Sequence, residues 1–426
     1  MIFDMRSVAA LALTVLALAT ACGTTPATVS TSGGATVMAL VGGRVHVAPD
    51  SAVIEDGVVV IRDRTIAAVG ARARVTVPRD ATIVDCAGTT VLAGFWNSHV
   101  HFTQPVWADA ADAPADRLAG ALRAMLTSYG VVRVLDTGSL PTTTEALRRR
   151  IERGEIDGPA ILMASGSLVP EGGSPYYVLP ARLPEAKSVP ETSAIVDAVL
   201  DRGADGIKLF TGSWASPRSI IVMRSELVRA ATDAAHRRGK FVIAHPSNSA
   251  GARVAIEGGV DILAHTFPTE LDRSPWDRAL PGMMRERNMA LVPTLKLFVF
   301  ELAKVNAPSN VVRVVLGRAQ EQLRAFAGLG GEVLFGTDVG YMTDDDPRDE
   351  YVFMQEAGLS YAQILASLTT APSRRFGAAR AGRLAPGADA DVVVVNGAPE
   401  RDVRALADVR YTIRAGRIIY QKPSRP

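Results

Sequence analysis

Six histidines occur in the chain, and four of them sit where strand-like apolar runs end. His99 and His101 fall in Gly94-Phe95-Trp96-Asn97-Ser98-His99-Val100-His101-Phe102. A spacing of two on extended backbone puts both imidazoles on one face. Such a pair can bind one metal ion or serve as a structural pair. His245 closes Phe241-Val242-Ile243-Ala244-His245, and His265 closes Asp261-Ile262-Leu263-Ala264-His265. Either alone reads more simply as a hydrogen-bonded core histidine. Their equivalent places at two run ends favour a shared task. Asp338 ends Leu334-Phe335-Gly336-Thr337-Asp338. A carboxylate buried there needs a partner. A metal ion is one, and Gly336 allows close backbone approach.

Lys208 is the most informative single residue, because it lies inside the apolar run Gly206-Ile207-Lys208-Leu209-Phe210. Lysine is almost never fully buried without a specific reason. An ammonium among four imidazoles and two cations would be repelled. N-carboxylation removes the conflict, since it makes Lys208 an anion able to bridge two metal ions. The alternative is a lysine that pairs with Asp338 or points outward. The last two histidines act as controls. His46 lies in an N-terminal strand region. His236 sits in Ala234-Ala235-His236-Arg237-Arg238-Gly239, at a helix C-terminus where a cation is favourable, so it is expected at the surface and outside catalysis.

The elements that must position these residues follow from the apolar pattern. Continuous runs recur at Val91–Phe95, Val131–Leu135, Ala160–Ala164, Ile207–Phe210, Phe241–Ala244, Val260–Ala264, Met289–Val292 and Val333–Phe335. Runs without alternation belong to strands buried on both faces, and their alternation with helices implies a parallel sheet. Eight such units predict an α/β fold with a (β/α)8 TIM barrel, whose active site lies at the C-terminal ends of the strands. Helices are expected from Ser225, read as a capping residue, to Gly239, and from Ser360 to Leu368 before Pro372. Short strands broken by turns fill 37–91, and strand patterns return after Gly382, including a hairpin over Tyr411–Tyr420 that turns at Ala415-Gly416. The two chain ends are expected to pair into a small β-sandwich, with parts at 37–91 and 379–426 around a barrel at 92–378.

Composition narrows the class further. The chain has 426 residues, 48% hydrophobic and 21% charged, with a formal net charge of +2. That suits a folded globular protein of one large domain plus a small one, or of two medium ones. Charges interleave without a basic run, so a nucleic-acid partner has no electrostatic footprint. Val8 to Ala21 is almost wholly apolar after Arg6, which suits a signal peptide over residues 1–21 better than a membrane span. Leu18-Ala19-Thr20-Ala21-Cys22 resembles a bacterial lipoprotein processing site, although Ala19 stands where Leu is usual. Export to the periplasm, or membrane anchoring through a lipid on Cys22, is the expectation. Residues 22–36 read as a flexible linker. Only one other cysteine exists, Cys86, in a strand-like run where a buried structural thiol is expected.

These residues together resemble the amidohydrolase superfamily, in the branch of imidazolonepropionases, prolidases and Xaa-Arg dipeptidases. The resemblance covers roughly residues 37 to 420. It rests on His99 and His101, Gly206-Ile207-Lys208, His245, His265 and Gly336-Thr337-Asp338. Thr369-Thr370-Ala371-Pro372 and the segment from Gly382 to Asp391 also fit. The resemblance implies two divalent ions, usually zinc. His99, His101 and Asp338 would hold one and His245 and His265 the other, with carboxylated Lys208 and a hydroxide between them. It further implies hydrolysis of an amide, peptide-like or cyclic amide bond, with Asp338 as the acid–base group. Two departures stand out. Asn97 replaces the usual Asp before the first histidine, and Gly172-Gly173-Ser174 lacks the usual histidine.

Barrel loops line such pockets. Trp107, Tyr176, Tyr177 and Trp214 are candidates for an aromatic pocket suited to an apolar or aromatic acyl group, or else packing anchors. Arg218 is the candidate carboxylate clamp. A small-molecule substrate is expected, with a homo-oligomer allowed. An esterase, lactonase or phosphotriesterase on the same metals is the nearest alternative. A non-catalytic ligand-binding lipoprotein would not need a buried lysine among histidines. A deaminase normally uses one metal and lacks the lysine.

Overall fold

The computed structural model describes residues 36–423. The signal-peptide reading, Cys22 and all but the last residue of the linker lie outside the described residues.

Eight parallel strands form one curled sheet in the manner of a TIM barrel. They run Phe95–Val100, Val131–Asp136, Ala160–Pro170, Gly206–Phe210, Phe241–His245, Ile262–Ala264, Ala290–Val292 and Glu332–Val333, hydrogen-bonded in chain order. The first strand also meets the chain beyond the eighth. Ser98 N–H donates to the Phe335 carbonyl (2.7 Å), Asp338 N–H to the His99 carbonyl (2.9 Å) and His101 N–H to the Val339 carbonyl (2.8 Å). A parallel bridge joins Val100 to Val339. These bonds stitch the segment carrying His99 and His101 to the one carrying Asp338.

The chain ends build a second sheet. Val37–Val45 pairs with Ile54–Arg62 on one side and with Thr82–Asp85 and Thr89–Ala93 on the other. Val392–Asn396 joins it antiparallel to Thr89–Ala93, and the hairpin Val409–Arg414 and Arg417–Gln421 follows. The expected sandwich is thus one hydrogen-bonded sheet of eight strands. Val392 and Val394 enter its own core with Leu40, Val59 and Ile61, while Val393 and Val395 enter the main core with Leu406. A strand used on both faces reads as an unbroken apolar run.

One boundary moves. Val91–Phe95 is not the first barrel strand. Its first residues finish Thr89–Ala93 in the end sheet, Gly94 N–H donates to the Asp391 carbonyl (2.8 Å), and the barrel begins at Phe95. Both strands are buried, so hydrophobicity alone runs across the break. The helix Ser225–Arg237 starts one residue earlier than a cap at Ser225 would place it, with Arg224 at the capping position. Ser360 does cap Tyr361–Leu368, through a capping box with Gln363. The chain then kinks at Thr369, and Pro372 lies within the next short helix, Thr370–Arg375. Cys86 is buried, and burial pushes its thiol up to about 11, as suits a structural residue.

The segment from Gly382 to Asp391 does physical work here. Arg133, on the second barrel strand, donates from Nε to Asp391 (2.9 Å) and from Nη2 to Asp389 (2.8 Å). The Asp391 carboxylate also accepts from Ala415 N–H (2.9 Å), so one mostly buried ion pair ties barrel to end sheet. Replacing Arg133 by Met leaves the buried Asp391 carboxylate without its ion-pair partner, while Asp389 keeps Arg380 at 2.7 Å. It should lower unfolding stability by about 2–3 kcal/mol in urea titrations, somewhat below the loss for a fully buried pair. Arg72→Met, which breaks an exposed pair with Asp56, should cost less than about 1 kcal/mol.

Candidate metal centre at the ends of the barrel strands

All six residues singled out by type and spacing lie on barrel strands or just beyond their C-terminal ends. His99 lies within the first strand and His101 just beyond it. Lys208 is central in the fourth strand, His245 ends the fifth, and His265 follows the sixth. Asp338 lies five residues past Val333, held by its backbone bond to His99.

The imidazoles form a chain. Ring centres are 5.3 Å apart for His99 and His101, 4.7 Å for His99 and His265, and 4.7 Å for His245 and His265. Asp338 Oδ1 is 2.9 Å from His101 Nε2 and 3.4 Å from His99 Nε2. Ligand atoms of His99, His101 and Asp338 all lie within 4.8 Å of one another. Lys208 is 2% exposed and shares this interior with His99, His245, His265 and Asp338, whose titrations it or they perturb. Among the described residues no carboxylate comes within 4.0 Å of its Nζ, so the simple Lys208–Asp338 ion pair is not formed.

The electrostatics favour neutral imidazoles and a strained lysine. Burial, then Lys208, holds His99 well below the usual histidine range. Burial, then His265, does the same to His245. Burial takes His265 to about 3 against the opposing pull of Asp338. Burial lowers Lys208 to about 8, opposed by Asp338 and Asp136. At Asp338 burial pushes upward, but the imidazoles around it outweigh this and keep it an anion.

A metal ion fits these donors. His99 Nδ1 and Nε2 and Asp338 Oδ1 are buried with no hydrogen-bond partner. Buried polar atoms left so demand an explanation. Lone pairs on uncharged imidazoles and a carboxylate are the donor set that zinc and similar divalent ions take.

Supporting side chains fix the set. Asn97 Nδ2 donates to Thr337 Oγ1 (2.7 Å), while its Oδ1 accepts from the N–H groups of His99 and Thr337 (both 3.2 Å). The Asn97 departure therefore keeps a bridging role between the two ligand segments. Thr294 Oγ1 lies 2.6 Å from His265 Nδ1 and donates to the Pro293 carbonyl (2.9 Å). Its proton is thus committed, so Nδ1–H of His265 donates to it and Nε2 keeps a lone pair. Gly340 has φ of +95°, and a Cβ there would overlap the His101 carbonyl. At Gly336 a Cβ would come within 2.9 Å of His99 Cβ, so the close approach anticipated there is real.

Besides Thr294, two more residues near the site escaped the sequence reading. Asp136 ends the second strand, fully buried, and accepts from Ser139 Oγ (2.6 Å) and Thr144 Oγ1 (2.5 Å). Its signal was present, since an acid ends an apolar run just as Asp338 does. Tyr341, three residues after Asp338, sets its ring at a tilt against Tyr177.

The tentative pocket residues divide. Trp107 is 1% exposed, in edge contact with Phe102 at 5.4 Å, and belongs to the core cluster with Leu118 and Val339. It is a packing anchor. Tyr176 and Tyr177 lie in a short 3-10 turn and remain exposed. Trp214 sits half-buried in the hairpin Gly212–Ser216 with Ser219–Val222, and Arg218 is exposed at its tip, without an ion pair among the described residues. His236 is at the surface, 2.8 Å from Asp261, as expected of a control. His46 is buried 3.9 Å from Glu400.

Comparison with known proteins identifies the family. The model of the Amidohydrolase family matches residues 90–419. The chain therefore belongs to the amidohydrolase family and is a hydrolase acting on carbon–nitrogen bonds. No curated protein matches it. Among solved structures, it is similar to a prolidase complexed with N-methylphosphonate-L-proline, at 25% identity and a TM-score of 0.74 over 91% of this chain and 100% of that one. A putative prolidase from Bifidobacterium longum gives 25%, 0.77, 92% and 96%. The ochratoxinase of A. niger gives 21%, 0.74, 91% and 96%, a likeness of fold.

Thr294→Val tests the orientation of His265. Zinc affinity measured by competition with a chelating dye should fall roughly 10–100-fold, with the thermal midpoint of the metal-free protein little changed. Unaltered affinity would show that Thr294 does not orient the ligand.

Proposed function

We propose that this chain is a metal-dependent amide hydrolase with a binuclear site in a closed (β/α)8 barrel, acting on a small peptide-like or cyclic amide. The observation that carries the reading is the gathering of four imidazoles, one carboxylate and one lysine in a water-poor space, with His99 and Asp338 atoms left unpartnered. His99, His101 and Asp338 would hold one ion and His245 and His265 the second. Lys208, as its N-carboxylate, would lie between them. That modification replaces a buried ammonium by an anion, which is what the surrounding histidines and cations require. Its depressed basicity also supplies the free amine that must take up carbon dioxide.

Two bound divalent ions would acidify a water molecule and polarise the scissile carbonyl. The chain's own groups then handle protons and orientation. Asp338 Oδ1 is turned toward His101 and His99, which leaves Oδ2 to receive the water proton and return it to the departing amine. Asn97 and Thr294 hold His99, Thr337 and His265 in place, so ligand geometry is set before substrate arrives. The prolidase structures at 25% identity support an amide of peptide type. Export, with anchoring through Cys22, is part of the same reading, supported by the apolar run before Cys22.

Plasma emission spectrometry of active protein should find about two divalent ions per chain, and chelation should abolish activity. Fewer than about one ion per chain would refute the reading. Lys208→Ala should lose activity by roughly 100-fold or more and regain part of it with propionate or another short-chain acid. Activity equal to wild type would reject the bridging role. Fractionation should find the mature chain outside the cytoplasm, and a cytoplasmic chain still beginning at Met1 would count against export.

A further inference from the structure

We propose that Tyr177 and Tyr341 form a specificity lip that receives an uncharged aromatic ring carried by the substrate beside its scissile bond. This rests on the hydrolase reading above and adds the substrate class to it.

The lip is continuous with the site. Tyr341 sits in the tight turn that Asp338 opens, where Met342 N–H donates to the Asp338 carbonyl (3.0 Å) and Gly340 N–H to the Met342 carbonyl (3.1 Å). Thr103 Oγ1 donates to the Gly340 carbonyl (3.0 Å) and pins the same turn to the first-strand loop. Tyr177 reaches it from the loop after the third strand. The two ring centres are 5.6 Å apart at 60°. Tyr176 adds a third ring 5.5 Å from Tyr177 in an edge-on contact. Rings from two separate loops therefore meet beside the turn of the carboxylate ligand.

These rings are not used up by packing. Tyr176 and Tyr177 are 40% and 37% exposed, and Leu179 beside them is exposed too. Large aromatic faces kept in water at the functional end of a barrel are available for a ligand. The loop is also held ready. Ser213 Oγ donates to the Gly173 carbonyl (2.5 Å), and Leu183 N–H donates to Ser174 Oγ (3.1 Å), so both ends of the Tyr176–Val178 turn are tied down. A preformed lip loses little entropy on binding.

The charge around the lip chooses the ligand. Lys304 lies over the Tyr341 ring at 4.6 Å and the Phe300 ring at 4.4 Å, and its Nζ donates to Glu301 at 2.6 Å. Its charge is thus already matched. Burial, then the negative field of Glu301, keeps the half-buried Tyr341 phenol protonated. A second carboxylate placed here would find Lys304 already paired with Glu301. A neutral planar ring can stack on, or set its edge against, the tyrosines without that penalty.

The test uses three substrates, N-benzoyl-alanine, N-acetyl-phenylalanine and N-acetyl-alanine, with the metal-loaded enzyme. Wild type should prefer one of the two aromatic compounds to N-acetyl-alanine by roughly tenfold or more in kcat/KM, the scale of an aromatic contact plus its buried area. Tyr177→Ala, at an exposed position that the fold tolerates, and Tyr341→Ala should each cut that ratio to roughly threefold or less, chiefly through KM. Tyr341→Phe, which keeps the ring, should retain it. Calorimetric binding of the same compounds at a pH or metal state that prevents turnover reads the lip separately from the chemistry. Tighter aromatic binding lost in Tyr177→Ala, without any hydrolysis by wild type, would sink the hydrolase reading and support the lip. Hydrolysis with a ratio unmoved by both alanine variants, or equal wild-type binding of aromatic and acetyl compounds, would overturn the lip.

Discussion

Lys208 puts an amine at a position only 2% exposed, in a space that already holds four imidazoles. Burial drives each of His99, His245 and His265 toward its neutral form, and the lysine pushes in the same direction. Asp338, and behind it Asp136, oppose this at Lys208, and among the described residues neither is within ion-pair distance of Nζ. A set of donors so arranged is costly as it stands. Cations among the lone pairs and a negative charge on Lys208 would reverse the sign of nearly every interaction. On the proposed reading, bound cations would account for these charges.

The backbone is committed to this arrangement as well. Asp338, His265 and Thr294 all have positive φ (65°, 71° and 45°), a region that side-chain-bearing residues avoid. Strain of that kind persists only where the surroundings enforce it, and it concentrates at functional sites. Here the enforcement is visible. The first strand donates and accepts along Phe335 to Val339, Asn97 ties His99 to Thr337, and Gly340 leaves room for the His101 carbonyl. The end sheet contributes from outside. Arg133, Asp389 and Asp391 lock the base of the second strand to the returning chain, so termini far apart in sequence hold one barrel.

Much of this was readable from residue types and their spacing. The His99 and His101 pair, the run-ending His245, His265 and Asp338, and the misplaced Lys208 each announced themselves, because polar residues inside apolar runs carry a cost that demands a reason. Apart from Asp136, which ends an apolar run as Asp338 does, what escaped notice had no such contrast. The run from Val91 to Phe95 spans two strands in two sheets, and both are buried, so hydrophobicity could not show the break at Gly94. Trp107 looks like any loop aromatic until its packing against Phe102 and Leu118 is seen. Tyr341 lies in a loop without periodicity, and only the fold brings it to Tyr177. Thr294 matters through one hydrogen bond to a residue 29 positions away.

The charge on Lys208 is the most direct point of attack on this account. Protein loaded with zinc under 13C-enriched carbon dioxide can be observed by carbon NMR for a carbamate carbon. The account predicts one such resonance per chain, absent when Arg replaces Lys208. A metal-loaded, active protein without that resonance would contradict it.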